Sequence, residues 1–127
     1  MHEQHLYDYA VIRVVPKVER EEFINVGLMI FCKRQKYLRI QHHIPTEKIL
    51  QFDTEFDIEQ LKINLDSFSK ICSGEKNGGP IATFEIAERF RWLTAVKSSS
   101  IQTSRPHSGL TSDLNATFDK LYNELVL

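Results

Sequence analysis

The chain predicts an α+β fold, with an antiparallel sheet of about four strands and helices packed on one face. Three observations lead there. Three strand-like runs, joined by short polar connections, occupy the first 43 residues. After Pro45 the apolar spacing changes from alternation to steps of three and four. Helices then follow one another, with no regular alternation of strand and helix, which favours hairpin-connected strands over parallel crossovers. A length of 127 residues with 42% hydrophobic and 26% charged residues suits one core, so 1–127 reads as a single domain.

The first strand, YDYAVIRVV from Tyr7 to Val15, is rich in aromatic and β-branched residues and is stopped by Pro16. It is apolar on both faces: Ala10, Ile12 and Val14 share one, while Tyr9, Val11, Arg13 and Val15 share the other. A second strand from Phe23 to Cys32 alternates Ile24, Val26, Leu28, Ile30 and Cys32 against Asn25, Gly27, Met29 and Phe31. A basic turn at 33–36 leads to a third strand, Tyr37 to His43. A short helix begins near Pro45. Asp57 then caps a helix built on Ile58, Leu61, Leu65, Phe68 and Cys72, which Gly74 ends. SGEKNGGP, 73–80, is a loop, and a helix from about Glu85 to Ala95 follows. The polar stretch KSSSIQTSRPHSG reads as a short strand around Ile101 and then a loop. An amphipathic helix from Asp113 to Val126 closes the chain.

Sixteen Lys plus Arg against seventeen Asp plus Glu gives a net charge of -1. No global positive field advertises nucleic acid, so any anion site must be local. No long apolar run predicts a membrane span, and MHEQHLYDY has no apolar signal core, so a cytoplasmic protein is expected. Cys32 and Cys72 fall on apolar faces and form no C-x-x-C pair, which predicts buried free thiols. Five histidines show no metal-binding spacing, and the adjacent His42 and His43 would point to opposite faces. Neither a metal nor a cofactor is expected, since the P-loop, G-x-S-x-G and dinucleotide fingerprints are missing.

Two segments carry candidate chemistry. Arg13 is a lone cation in an otherwise apolar strand and must find an anion, because burying an unpaired guanidinium costs several kcal/mol. Within REEFINVG, Arg20 to Gly27, Glu22 is a candidate counter-charge. Alternation places Asn25 and Gly27 on one face, so Gly27 leaves space beside an amide that both donates and accepts. That arrangement reads either as a pocket floored by Arg13 and Asn25, or as an Arg–Glu pair with Gly27 accommodating a bulge. The second segment gathers Lys97, Ser98, Gln102 and His107 in a donor-rich stretch suited to a phosphate. The expected working surface joins Arg13, Arg20, Glu22, Asn25 and Gly27 to Lys97, Ser98, Gln102 and His107. It predicts a binding or accessory module for a phosphate-bearing ligand or a partner protein. The alternative is a small hydrolase or nuclease using His107 with Glu22 or a nearby serine.

The motifs Y-x-V-I-R-V-V-P (9–16), R-x-E-F-x-N-V-G (20–27), G-P-I (79–81), E-R-F-R-W-L-T-A (88–95) and K-S-S-S-I-Q-T-S-x-x-H-x-G (97–109) together span most of the chain. In them it resembles a small bacterial family catalogued as a domain of unknown function. The resemblance implies a partner, a HipA-like kinase encoded nearby, and assigns no reaction. Lys97 stands where members of the family usually carry Arg, which keeps the charge but loses a bidentate fork.

Overall fold

The computed structural model describes residues 3–95 and 100–127. Five strands and four helices follow the order β1 (His5–Val14), β2 (Ile24–Cys32), β3 (Tyr37–His42), α1 (Thr46–Phe52), α2 (Ile58–Ser73), α3 (Ile86–Ala95), β4 (Ile101–Thr103), β5 (His107–Thr111) and α4 (Leu114–Leu125). The sheet is antiparallel with the order β3-β2-β1-β4, and β5 also pairs with β1. The α+β class and the antiparallel sheet are therefore as the sequence predicts. No described helix is long and apolar enough to cross a membrane.

The helix signals act where the sequence places them. The Asp57 carboxylate accepts from the Gln60 N–H at 2.9 Å, and Gly74 ends α2 in the left-handed region at φ 71°, donating to Ile71 and Lys70 carbonyls. Asp113 caps α4 by accepting from the Ala116 N–H at 3.0 Å.

The helices do not all lie on one face. Ala10, Ile12, Val14, Ile24, Val26 and Met29 pack with Ile49, Leu61, Leu65, Phe68 and Leu93 in the layer of α1, α2 and α3. Val11, Leu28, Ile30 and Cys32 pack with Leu114, Phe118 and Tyr122 of α4 in a second core across the sheet. The physical reason is the two-faced apolar pattern of β1 and β2, because each face needs its own cover. Phe118, fully buried, contributes about 1.5–3 kcal/mol to holding α4 there. On β3, Tyr37 donates to Asn115 Oδ1 at 2.8 Å, while the Arg39 guanidinium lies 4.0 Å above the Phe118 ring and 3.3 Å from Asp119. Cys32 and Cys72 are buried free thiols in opposite layers.

A bulge in β2 sets which residues share a face. Ile12 faces Gly27 and Arg13 faces Asn25, so Val26 is an extra residue on the bulged strand. Beyond it the alternation changes phase: Ile24 and Val26 join Met29 in the helical layer, whereas Leu28, Ile30 and Cys32 turn toward α4. Gly27 allows this. A Cβ there would stand 3.0 Å from Ile12 Cδ1 and 3.1 Å from the Gln41 carbonyl.

The segment after β4, read from sequence as a loop, contains a fifth strand. β4 pairs with Ile12–Val14 and β5 with His5–Tyr9, so the two lie end to end along one side of β1. Pro106 lies in the break and has no N–H for a ladder. Ser104 carries pairing across it. Its N–H donates to the Val11 carbonyl at 2.8 Å, and its Oγ accepts from the Val11 N–H at 2.9 Å. Gly109 faces Tyr7, whose ring occupies the place a side chain would take. Its weak apolar pattern hid β5, which forms because β1 offers an open ladder.

Candidate functional site

Registry across three strands places Asn25, Arg13 and Gln102 side by side. Arg13 is opposite Asn25 on one flank and Gln102 on the other, so all three project from the α4 face. Arg13 is half-buried, with its guanidinium carbon 4.2 Å from the centre of the Phe23 ring. A cation–π contact is worth about 0.5–2 kcal/mol but satisfies none of the guanidinium N–H groups. No described carboxylate pairs with Arg13, and its buried Nε has no hydrogen-bond partner. Asn25 donates Nδ2–H to the Leu125 carbonyl at 3.0 Å, tying β2 to the end of α4, and its buried Oδ1 has no partner. α4 packs over β2, and Leu125, the last residue of α4, is the one that accepts from Asn25.

The other predicted residues divide. Glu22 does not neutralise Arg13; it pairs with Arg20 at 2.6 Å, with side chains 41% and 62% exposed. Such a solvated pair contributes about 0–1 kcal/mol. Gly27 does not share a face with Asn25, because the bulge places it against Ile12 in the helical layer. The pocket floor expected from Asn25 with Gly27 is thus replaced by Asn25 with Arg13 and Gln102. Lys97 and Ser98 lie outside the described residues.

His107 occupies another part of the same face. It is exposed on β5 opposite Tyr9, with ring centroids 5.3 Å apart and planes tilted by 35°. Arg13 is four positions along β1 from Tyr9, a span of about 13 Å at the usual strand rise. His107 and Arg13 are therefore not side by side on this face. Glu22, beyond the Val14 end of β1, does not meet His107, and the described serines nearest it, Ser104 and Ser108, are otherwise engaged. Ser108 donates to Asp8 at 2.5 Å, while Ser104 is bonded to Val11 and Arg105. Among the described residues no nucleophile is hydrogen-bonded to His107. Sequence reasoning passed over Phe23 and Tyr9 as contributors. The signal was present for Tyr9, two alternations from Arg13 on the same strand face.

Concavities lie elsewhere. One, of about 390 Å³, is lined by His42, Ile44, Lys62, Ile63 and Asp66. Burial holds the His42 imidazole below its ordinary pKa, and Asp66 partly opposes that shift. Another, of about 440 Å³, includes Lys33, Lys36 and Arg89. Arg89 is committed to structure there, donating to the Ile71 and Cys72 carbonyls at 3.3 and 3.1 Å at the end of α2.

No curated protein and no solved structure matches this chain. A family model does match, over residues 9–126, which includes every residue of the Asn25–Arg13–Gln102 row and His107. The chain belongs to the family described as Protein of unknown function (DUF3037).

Proposed function

We propose that this protein is a small binding module whose ligand carries a phosphate, held by Arg13 between Asn25 and Gln102. The observation that carries this reading is Arg13 itself: a half-buried guanidinium in a central strand, stacked on Phe23 and paired with no described carboxylate. A phosphate supplies the acceptor geometry that a guanidinium fork matches. Asn25 and Gln102 add amide donors or acceptors to either side, in fixed registry. With a net charge of -1, attraction rests on this local arrangement rather than on the field of the whole molecule.

Thermal-shift measurements against inorganic phosphate, ribose 5-phosphate and adenosine monophosphate test the reading. A probe at 100 times its dissociation constant stabilises the folded chain by about 2.7 kcal/mol. Arg13→Ala should abolish the shift, and Arg13→Lys should retain only part of it. Lys62→Ala, on the opposite layer, should leave it unchanged. A full shift in folded Arg13→Ala protein would refute the site.

A further inference from the structure

Helical cover on the α1–α3 face stops short of the first residues of β1. Phe31 of β2 meets α3 through Phe90, with ring centroids 5.2 Å apart. Leu6 and Leu110, directly opposed across β1 and β5, stay 64% and 65% exposed. Alternation from Ala10, which is in the α1–α3 core, puts Leu6 on this same face. Two large aliphatic side chains held side by side, rather than scattered, are what marks an interaction surface.

The surroundings of the pair are concave and basic. With Gln4, Lys33 and Arg34 the two leucines line a hollow of about 570 Å³. Lys33 also borders the neighbouring hollow of about 440 Å³, where Ile86 and Ala87 in the first turn of α3 lie beside Lys36, Arg89 and Glu85. Arg34 is 3.6 Å from Glu3, and Asp8, farther along β1, accepts from Ser108. Lys33 and Lys36, both exposed, pair with no described carboxylate.

Charge and shape select the occupant. A second copy in a two-fold contact would set this patch on itself, bringing one excess of positive charge against another. A lipid surface takes apolar side chains that protrude, whereas Leu6 and Leu110 line a hollow that receives them. A chain that offers apolar side chains to the hollows and carboxylates to their rim meets both demands. We propose that this corner docks a short acidic segment of a partner protein, its apolar side chains beside Leu6 and Ile86 and its carboxylates on Lys33 and Lys36. The site is separate from the Arg13 row, which projects on the α4 face.

Selection from a phage-displayed library of random peptides, with the full chain as bait, tests the chemistry. Enriched peptides should carry apolar residues among aspartates and glutamates, and their affinity, read by fluorescence anisotropy, should fall as salt rises. Leu110→Ser and Lys33→Glu, both at exposed positions, should each weaken binding about tenfold or more. Arg13→Ala should leave it unchanged. No enrichment, enrichment of basic peptides, or affinity indifferent to Leu110→Ser and Lys33→Glu overturns the proposal. A dimer seen by light scattering, or binding to phosphatidylserine vesicles, that Leu110→Ser abolishes also overturns it, since a second copy or a lipid surface is then the occupant.

Discussion

Replacing Ser104 by Ala removes the acceptor of the Val11 N–H while leaving the backbone course of the β4–β5 break unchanged. Val11 is only 6% exposed, and its N–H donates to Ser104 Oγ at 2.9 Å. Ser104 itself is 6% exposed. An Ala side chain supplies no acceptor, so the variant leaves a buried backbone donor unsatisfied, at a cost of about 1–3 kcal/mol. The Ser104 N–H to Val11 carbonyl bond at 2.8 Å survives, which keeps the loss within that range. Against a total stability of about 5–15 kcal/mol, the loss is large enough to measure. It corresponds to a Tm decrease of roughly 3–15 °C for a domain of this size. Urea denaturation should show a lower midpoint with an unchanged m-value, since the surface exposed on unfolding is the same. Native-state hydrogen exchange should show faster exchange at the Val11 amide. An unfolding free energy within about 0.5 kcal/mol of the parent, the range of a neutral surface substitution, with Val11 still protected, would refute the claim that Ser104 carries the ladder across the break.

Gly27→Ala should destabilise by about 1–3 kcal/mol in the same urea assay, because the new methyl meets Ile12 and the Gln41 carbonyl at 3.0 and 3.1 Å. An unchanged midpoint would mean that the bulge has room to shift. Because burial lowers the folded-state pKa of His42 below 6.5, protonation favours the unfolded chain. Its stabilising contribution is complete above that value and is lost as pH falls through the depressed folded pKa. His42→Gln should therefore flatten the acid side of the stability curve, measured by urea midpoints from about pH 7 to about pH 4.5, a window that brackets the unperturbed histidine value. Burial pushes the Cys72 thiol up to about 12, and both cysteines are enclosed. Ellman's reagent should label neither at neutral pH until the chain is unfolded, and rapid native labelling would contradict that enclosure.

The phase change in β2 explains why part of the candidate site was legible in sequence and part was not. Arg13 as a lone cation follows from alternation along one strand, and so does its sharing a face with Tyr9 and Val11. That Gln102 and Asn25 flank it depends on which strands are neighbours and in what register, information that local patterns do not contain. Strict alternation up to Gly27 fails because a bulge adds one residue, Val26, so Asn25 and Gly27 part company although they are two positions apart. Glu22 looked suited to Arg13 by proximity in sequence, yet Arg20 is its partner and Phe23 takes the guanidinium face.

Taken alone, the sequence determined the α+β class, the caps at Asp57, Gly74 and Asp113, and the burial of both thiols. These follow from periodicity, capping chemistry and composition, all of which act over a few residues. The tertiary structure decided that α4 covers the face opposite α1–α3, because two apolar sheet faces had to be buried by different elements. It also decided that a polar, Gly-containing segment becomes β5, because the free ladder of β1 gives its backbone partners. The Asn25–Arg13–Gln102 row belongs to the same category: its residues lie up to 89 positions apart in the chain, by the difference between 102 and 13, and become neighbours only through strand pairing.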